Sequence, residues 1–441
     1  MKDKLIDRIN NKEIDIPNSL GYRLLTRLIT IWINRRNRPE FHYHFDKAEM
    51  KGKQVIIIAD HAAWDSFFYV MIGYPFVKLN TVVGYHHIFK KYLYTVVMKI
   101  FRTIPKKNFQ NDLGSVKQML KLVKKGGSIL LFPEGTQSKS GSTVPITPST
   151  SGFLKKMGVT VVLCKSYGSF LARPIWSDET NKGHQEFHYQ VLFTPEELQK
   201  LSKEEIDERM LEGIRYNDFQ WNKEKGYTYK CKDGNAKGME RVAFLCPKCG
   251  KEFTLRTTAS QIICDDCGNS IDVNEKFELS PAADKDLCPY ENIDQWYKAQ
   301  RNGTRRAVTK ENFKMEYDCQ LCKLETDKTR KEPFIMKGRG HITIRKEGIQ
   351  FRGIKQDKGP EGKEKLKLDF DIKNIPSMLA TPGKFNILYY GKDVFKIIPV
   401  DNKNIPIKSM IAVEELHNMT DPIWDKAMCD VYCDGMEKNC D

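Results

Sequence analysis

The sequence predicts an α/β domain, with a central and mostly parallel sheet flanked by helices, followed by a small cysteine-rich module and a mainly β C-terminal domain. Short apolar runs alternate with helical stretches from Val55 to about Ile175, as expected for a buried sheet covered by helices on both faces. Two Cys-x2-Cys pairs follow this region. Beyond residue 333, several segments are typical of β-strands and one is typical of a helix.

Chain length and charge limit the class of protein. The 441 residues suffice for about three domains. Hydrophobic residues make up 40% of the chain, which is typical of a folded protein, and the net charge of +15 favours an anionic partner such as nucleic acid, lipid headgroups or a phosphorylated substrate. We find neither a signal-peptide pattern nor an apolar run of about 18 residues, so we expect a cytoplasmic protein.

A basic amphipathic helix is predicted within residues 1–50. The segment SLGYRLLTRLITIWINRRNR carries apolar residues near helical spacing and arginines among and after them. The apolar positions are Leu20, Leu24, Leu28, Ile31 and Trp32, and the basic positions are Arg23, Arg27, Arg35, Arg36 and Arg38. Such a helix suits the surface of an anionic membrane, but it could equally pack on its own domain.

Residues 51–222 form the predicted α/β domain, and its first strand leads into a histidine and a carboxylate. The runs VIIIA, TVVGY, SILLF and VTVVLC predict buried strands. His61 and Asp65 follow the first of them, four residues apart at an expected helix start, where they would share one helix face. A carboxylate there could orient an imidazole that takes a proton from an alcohol, although a surface or capping pair has the same spacing.

Two further loops carry polar residues. After the helical stretch KKYLYTVVMKIF, the residues Arg102, Lys106 and Lys107 form a short cationic loop, which could bind a phosphate or be ordinary solvated surface. The segment SILLFPEGTQSKSG then carries a strand into a loop that contains Glu134, Gly135 and Thr136.

In order and spacing, these three features resemble the glycerolipid acyltransferase family, which includes the 1-acylglycerol-3-phosphate acyltransferases, over roughly residues 20–220. The resemblance implies an enzyme of phospholipid biosynthesis on the cytosolic face of a membrane. It would transfer a fatty acyl group, in a single step, from acyl-CoA or acyl carrier protein to the free hydroxyl of a lysophospholipid. The expected acceptor is 1-acylglycerol 3-phosphate, also called lysophosphatidic acid.

The resemblance also implies residue roles. His61 would be the general base on the acceptor hydroxyl, and Asp65 would orient it. The acceptor phosphate would be bound by the basic loop, and the acceptor pocket would be organised by the loop after the third apolar run. These positions are Arg102, Lys106 and Lys107 for the phosphate, and Glu134, Gly135 and Thr136 for the pocket.

The chain departs from the family pattern at three places. The family motif is His-x4-Asp, whereas Asp65 follows His61 after three residues and Ser66 occupies the usual carboxylate position. Gln137 stands where an arginine is common, and the strand VTVVLCKSYGSF lacks the usual Val-Pro-Val ending. Either Asp65 still reaches the imidazole or His61 works alone. The alternative function is a catalytically weak or inactive lipid- or nucleic-acid-binding protein that retains the fold.

Two cysteine pairs predict a structural zinc ribbon within residues 223–278. Cys246, Cys249, Cys264 and Cys267 form two Cys-x2-Cys knuckles, each followed by glycine, which is the pattern of a closed four-thiolate zinc site. Zinc ribbons also bind nucleic acid, but no accompanying recognition pattern is present, so we do not expect that partner. Five other cysteines could assemble a second metal site, but free cysteines are the favoured interpretation. These are Cys319, Cys322, Cys429, Cys433 and Cys440.

The rest of the chain is predicted to hold a linker, a β domain and a tail. Residues 279–332 are expected to be a linker and residues 421–441 a cysteine-containing tail. Between them, residues 333–420 read as strands, beginning with the hairpin GHITIRKEGIQFRG, and are closed by the helix KSMIAVEELHNM. This segment resembles a small pleckstrin-homology or GRAM-like domain, and both anionic lipid binding and structural support remain open for it.

Overall fold

The computed structural model describes residues 9, 13–91, 95–146, 150–356 and 364–432. Its strands are β1 Glu40–Tyr43, β2 Val55–Ala59, β3 Leu79–Gly84, β4 Ile104–Lys106, β5 Ser128–Leu131, β6 Thr160–Tyr167, β7 Glu186–Phe193, β8 Leu255–Thr257, β9 Gln261–Cys264, β10 Ser270–Val273, β11 Leu279–Pro281, β12 Met315–Leu324, β13 Phe334–Arg345, β14 Gly348–Lys355, β15 Lys365–Asp371, β16 Leu379–Thr381, β17 Phe385–Tyr390 and β18 Asp393–Pro399. Its α-helices are α1 Ser19–Arg36, α2 Lys47–Met50, α3 Ser66–Gly73, α4 Leu113–Lys124, α5 Thr150–Met157, α6 Ser169–Ala172, α7 Pro195–Lys200, α8 Lys203–Ile214, α9 Asp218–Lys225, α10 Ile293–Thr309, α11 Ile405–Asn418 and α12 Pro422–Tyr432.

The first sheet has seven strands in the order β1-β7-β6-β2-β5-β3-β4. Its neighbouring strands are parallel except for β6 and β7, which run antiparallel. The predicted fold class is therefore confirmed. Strand β2 is buried along its whole length, as is β5, which explains why both read as uninterrupted apolar runs.

The register of this sheet decides where chemistry can occur. Strands β2 and β5 are parallel neighbours, and Ile58 pairs with Leu131 at their carboxyl ends. The loops that follow the two strands therefore leave the same edge of the sheet side by side. These loops contain the predicted His/Asp pair and the predicted Glu-Gly-Thr segment.

The cysteine-rich module forms a small antiparallel sheet in the order β11-β10-β9-β8. Its inward side chains do not form a separate core. Ile262 and Ile271 belong to the same buried cluster as Trp176, which follows α6, and Trp296 on α10. The module is therefore packed against both the first sheet domain and the helices that come later in the chain.

The C-terminal sheet has seven antiparallel strands in the order β15-β14-β13-β12-β18-β17-β16, followed by α11. Seven strands closed by one helix agree with the predicted mainly β domain, while its resemblance to pleckstrin-homology or GRAM domains remains a prediction. Strand β12 pairs with both β13 and β18 and so lies in the middle of the sheet.

The predicted linker at residues 279–332 needs correction, because it contains α10 and β12. The side chain of Asn292 caps α10 by accepting hydrogen bonds from the next turn, and Trp296 on that helix is completely buried. In β12, burial alternates along the strand, so Cys319 packs in the sheet core. Cys322 is buried as well, whereas Cys433 and Cys440 lie outside the described residues.

The N-terminal helix predicted within residues 1–50 is observed as α1. The side chain of Asn18 caps it by accepting a hydrogen bond from the Leu20 amide at 2.9 Å. Residues 1–8 and 10–12 lie outside the described part of the chain. Among the helices of the described residues, none has both the length and the apolarity needed to cross a membrane.

Candidate active site

The loops after β2 and β5 are joined by direct contacts. The His61 amide donates to Glu134 Oε2 at 3.3 Å, and the Ser138 amide donates to the His61 carbonyl at 3.0 Å. The imidazole of His61 stacks on the Phe132 ring, with 4.5 Å between ring centroids. The structure therefore brings together His61 and the predicted Glu-Gly-Thr loop, although 73 residues separate His61 from Glu134 in the sequence.

The proton on the His61 ring is positioned by the backbone. Nδ1 lies 3.0 Å from the carbonyl oxygen of Ala63. Because a carbonyl oxygen can only accept, Nδ1 must carry the hydrogen, which leaves the lone pair on Nε2. Burial, together with the nearby positive charge of Lys139, lowers the pKa of His61 to about 3. The imidazole is therefore neutral at physiological pH and has a free lone pair.

Asp65 has different partners from those that the sequence predicts. Its buried carboxylate lies 3.7 Å from Arg36 Nη1 on α1 and 3.6 Å from Arg173 Nη1. Burial raises the pKa of Asp65, against the opposing effect of these two arginines. In the described part of the chain, no hydrogen bond or ion pair connects Asp65 to His61.

The reason for this difference is where the helix begins. Helix α3 starts at Ser66, after both Asp65 and His61, so the two side chains do not share a helix face. Ser66, at the position where the family motif has its carboxylate, accepts a hydrogen bond from the Ala63 amide at 3.0 Å. The loop geometry thus orients His61 through Ala63, and the expected His61–Asp65 pairing is not observed.

Glu134 places its carboxyl group in a fully buried position. Burial, reinforced by the neighbouring negative charge of Asp60, raises the pKa of Glu134 well above its usual range. Its Oε2 atom accepts from His61, while Oε1 is buried with no hydrogen-bond partner among the described residues. Burial therefore favours the uncharged form of Glu134.

Gly135 and Thr136 shape the turn that follows. The φ angle of Gly135 is +67°, a conformation that side chains disfavour, and the residue packs beside the ring of Phe109. The Thr136 hydroxyl accepts a hydrogen bond from Lys139 Nζ at 3.0 Å. The turn is therefore fixed by a glycine-specific conformation and by a buried lysine.

Lys139 is a site residue that the sequence analysis missed. Its ammonium also donates to the Gln137 carbonyl at 2.9 Å, and the side chain is almost completely buried. Burial lowers the pKa of Lys139 to about 8, although the nearby carboxyl groups of Glu414 and Glu134 oppose the shift. The only local signal is a cation two residues beyond Gln137, where the expected arginine is missing.

The three residues of the basic loop do not lie together. Lys106 ends β4 at the same edge of the sheet as the two site loops, and Lys107 donates to the Gly391 carbonyl at 3.2 Å. Arg102 precedes β4 at the opposite end, where its carbonyl accepts from Asn80 at 2.9 Å. The structure therefore places two of the three predicted phosphate ligands near the site edge and does not bring Arg102 there.

Helices from the end of the chain cover the loop after β5. Ser140 and Ser142 each donate to Asp294 Oδ1 on α10 at 2.6 Å. Trp424 on α12 packs edge-on against Phe109, with ring centroids 6.4 Å apart. We call the three helices α10, α11 and α12 the roof helices.

A buried ion-pair cluster connects two of the roof helices, α10 and α11. Arg301 on α10 lies 2.8 Å from a carboxylate oxygen of Glu414 and 2.8 Å from one of Glu415, both on α11. All three side chains are buried. Sequence patterns do not reveal the packing of the roof helices over the loop after β5, because these contacts join segments that are more than a hundred residues apart.

The four predicted zinc ligands converge. The Sγ atoms of Cys246 and Cys267 are 3.7 Å apart, and those of Cys249 and Cys264 are 3.8 Å apart. A tetrahedral zinc site with Zn–S bonds of about 2.3 Å requires sulfur atoms roughly 3.8 Å apart, whereas a disulfide requires about 2.05 Å. The donor set and its spacing therefore fit zinc, and these cysteines could bind it.

Comparisons with known proteins define the class of this domain. Residues 34–164 match the family model described as acyltransferase, so the chain contains an acyltransferase-family domain. The matched segment includes His61, Asp65, the basic loop, Glu134–Thr136 and Lys139. The four-cysteine cluster and the C-terminal sheet lie outside it.

Individual relatives are more specific but distant. The chain is 26% identical over 147 residues to a chloroplastic 1-acyl-sn-glycerol-3-phosphate acyltransferase of Brassica napus, which covers 31% of this chain and 42% of that protein. The chain thus spans about two fifths of the length of the curated relative. Among solved structures, the 1-acyl-sn-glycerophosphate acyltransferase of Thermotoga maritima matches with a TM-score of 0.34 and 13% identity, over 46% of this chain and 86% of that chain.

Proposed function

We propose that the protein transfers a fatty acyl group from acyl-CoA or acyl carrier protein to the free hydroxyl of a lysophospholipid, with 1-acylglycerol 3-phosphate as the first candidate acceptor. The reaction belongs to phospholipid biosynthesis. The observation that carries this proposal is the neutral imidazole of His61, whose Nδ1 hydrogen is held by the Ala63 carbonyl beside Glu134. The match of residues 34–164 to the acyltransferase family supports the reaction type.

The proposed reaction has one covalent step. His61 Nε2 accepts the proton of the acceptor hydroxyl while that oxygen attacks the thioester carbonyl carbon. The new C–O ester bond forms and the C–S bond breaks. The departing thiolate takes the proton from His61, so the products are a diacyl lipid and a free thiol, and the enzyme is unchanged.

Cations near the site would bind the acceptor phosphate. Among the described residues, the hydrogen bonds of Lys139 go to neutral oxygen atoms of Thr136 and Gln137, so its ammonium could exchange them for a phosphate oxygen. Lys106 lies at the same sheet edge, while burial raises the pKa of Glu134 and so disfavours a negative charge beside a bound anion. We do not propose Arg102 as a phosphate ligand, because it lies at the far end of β4.

A membrane surface would deliver the acceptor, and α1 is the candidate contact. One face of α1 packs on the domain through Tyr22, Ile29 and Ile33, but another face leaves large apolar side chains in solvent. These exposed side chains are Leu20, Leu24, Leu28, Ile31 and Trp32, and the exposed arginines beside them are Arg23, Arg27, Arg35 and Arg38. Such a face suits insertion among anionic lipid headgroups, and the protein would be peripheral on the cytosolic face.

Asp65 connects α1 to the loop after β2, which contains His61. It bridges Arg36 on α1 to Arg173, whose guanidinium lies 4.5 Å from the centre of the Trp64 ring. Trp64 is 46% exposed and lies three residues after His61. An acyl chain in the membrane beneath α1 would therefore be close to the proposed base.

For the cysteine module we propose a structural zinc ion. The four sulfur atoms supply a complete tetrahedral set, which leaves no coordination position for a substrate. Neither the module nor its zinc would touch the reacting atoms.

The decisive experiment is acceptor-dependent release of free thiol from long-chain acyl-CoA and from acyl carrier protein thioesters. We expect release that requires lysophosphatidic acid, is lost in His61→Ala and persists in His341→Ala, a matched change at an exposed histidine of the C-terminal sheet. If the wild type consumes no thioester with several lysophospholipid acceptors, the transferase proposal fails. A lipid-binding protein that retains the fold would then be the better account, supported by the missing His61–Asp65 contact.

A further inference from the structure

An edge of the first sheet concentrates histidines that have no part in the proposed reaction. Four of the nine histidines in the chain lie there, on two parallel strands or directly beside them. His42 lies on β1 and His44 directly follows that strand, while His188 lies on β7 and His184 just before it. In the parallel register, His42 pairs with His188 and Glu40 pairs with Glu186, so alternate residues of both strands present their side chains on one face.

Three of these side chains have the spacing of metal ligands. The ligand atoms of His42, Glu186 and His188 all lie within 4.8 Å of one another. His188 Nε2 is 3.0 Å from Glu186 Oε2, and the rings of His42 and His188 stack at 4.5 Å. Two ligands on one tetrahedral zinc ion lie about 3.3 Å apart, so small side-chain rotations suffice to bring these atoms around an ion.

The remaining polar atoms of His188 and Glu186 are held by neighbours. His44 Nε2 lies 3.1 Å from His188 Nδ1, and His184 Nε2 lies 3.1 Å from Glu186 Oε1. This arrangement leaves His188 Nε2 and Glu186 Oε2 directed at each other, while their second atoms are fixed by other groups. Ligands of protein-bound metals are typically oriented in this way.

His42 supplies an unused ligand atom. Its Nε2 is buried and makes no hydrogen bond within the described part of the chain, although Glu40 Oε2 lies 3.4 Å away. A buried ring nitrogen without a hydrogen-bond partner is uncommon, because the loss of its hydrogen bond to water costs free energy. Coordination to a cation would satisfy it.

We propose that His42, His188 and Glu186 form a second metal site, which binds a divalent transition metal, with zinc as the first candidate. Two imidazoles and a carboxylate suit zinc and its neighbours in the transition series, and they do not suit magnesium or calcium, which take oxygen ligands. The three protein ligands leave a fourth position for water. This site is separate from the four-cysteine cluster and shares no residue with the proposed active site.

The site would fasten the edge of the sheet. Strand β1 has only four residues and only one neighbouring strand, β7, and it follows α1 after a short connection. A metal ion that joins His42 on β1 to His188 and Glu186 on β7 would stabilise this pairing. It would also fix the position of α1 on the domain.

The test uses the full-length protein with its cysteine cluster already loaded with zinc. Calorimetric titration with zinc should show uptake of one further equivalent. Thermal unfolding of the zinc-saturated protein should then show a rise in melting temperature. The double variant His42→Asn/His188→Asn should lose that uptake, whereas His341→Asn should retain it. His184→Gln, which removes only a neighbour of Glu186, should weaken zinc binding by about 10–100-fold.

Controls distinguish this site from a simple hydrogen-bonded network. With cobalt, the added equivalent should lack the intense thiolate charge-transfer bands of a cysteine site, and magnesium should give no binding. If the double variant does not fold, His42→Asn alone is informative, because its side chain is 41% exposed. The proposal is overturned if the loaded wild type takes up no further zinc, or if uptake is unchanged in the folded His42 variant.

Discussion

At the scale of single residues, His61 shows that a backbone carbonyl can do the orienting that a carboxylate is expected to do. The Ala63 oxygen determines which ring nitrogen carries the hydrogen. Asp65 is left to join α1 to the segment after α6 through Arg36 and Arg173. The shortened spacing between His61 and Asp65 therefore changes the role of the carboxylate and leaves a histidine with a free lone pair in place.

This division of roles predicts the effect of Asp65→Asn. We expect acyl transfer from acyl-CoA to fall by less than about tenfold, because the His61 tautomer does not depend on Asp65. The free energy of unfolding should fall by about 1–3 kcal/mol, because Arg36 and Arg173 lose their shared carboxylate. Denaturant titration and steady-state kinetics measure both. Loss of turnover in a variant of unchanged stability would contradict this account.

Lys139 and His61 together predict the pH dependence of activity. The charged form of Lys139 exists below its pKa of about 8, so kcat/KM for a phosphate-bearing acceptor should fall as the pH rises through that value. His61, with a pKa of about 3, stays neutral as the pH falls through 6.5, so no decline is expected there. The variant Lys139→Arg should move the alkaline decline to higher pH. A decline centred near 6.5, unaffected by Lys139→Arg, would contradict the assignment.

At the scale of elements, α1 carries apolar side chains on two faces. Its inner face packs in the sheet domain, while Leu20, Leu24 and Leu28 are 79%, 60% and 55% exposed. A row of large exposed apolar side chains on one helix typically marks a site of contact with a membrane or another protein.

This element predicts binding to anionic vesicles through α1. Each leucine that inserts into the bilayer contributes about 1.5–3 kcal/mol, so Leu24→Ser/Leu28→Ser should weaken vesicle binding by at least about tenfold. The control Leu113→Ser changes a leucine on α4 that is also exposed and should bind like the wild type. Sedimentation with vesicles of anionic and neutral composition measures this. Equal loss in both variants would contradict the role of α1.

The cysteine module predicts a metal-dependent element. Strands β8 to β11 are three or four residues long, too short for an isolated sheet to be stable, and zinc binding to such modules supplies folding free energy. Cys264→Ser should remove one zinc per chain and lower the melting temperature, while Cys231→Ser, outside the cluster, should change neither. Metal analysis and calorimetry measure both quantities. Retention of the zinc by Cys264→Ser would contradict the proposed ligand set.

At the scale of the whole molecule, the roof helices link the C-terminal sheet to the loop after β5, which forms part of the candidate active site. The Asp294 carboxylate accepts hydrogen bonds from Ser140 and Ser142, and Glu414 lies close enough to Lys139 to oppose the lowering of its pKa by burial. The acyltransferase-family domain and the C-terminal region therefore meet at the candidate active site. Buried side chains from the first sheet domain, the cysteine module and the later helices belong to one cluster. The division of the chain into separate domains therefore remains a prediction.

The roof helices predict a large effect of Arg301→Met. The change leaves Glu414 buried without its cation and Glu415 with Arg305 alone, at 3.7 Å, and the loss of one partner from such a cluster costs about 3–5 kcal/mol. By comparison, Lys223→Met removes an exposed partner of Glu291 and should cost less than about 1 kcal/mol. Denaturant unfolding of both variants measures the difference. Equal and small effects would mean that the cluster does not hold the helices together.

Local patterns in the sequence determined most elements of this protein. The buried strands β2, β5 and β6 read as apolar runs because both faces of the sheet are covered, and the cysteine pairs converge because a ligand knuckle is a short-range structure. The hairpin of β13 and β14 followed from alternation around a Glu-Gly turn. Such features depend on neighbours within a few residues, so a single sequence contains the information.

Only the tertiary structure decided which side chains meet. Asp65 turns to Arg36 because α3 starts one residue after it, Arg102 lies at the far end of β4, and Lys139 enters the site beneath α11. Helix α10 and strand β12 replaced a predicted linker, because their partners lie in distant segments. These contacts depend on strand order and on packing between residues far apart in the chain, which periodicity along a single sequence does not record.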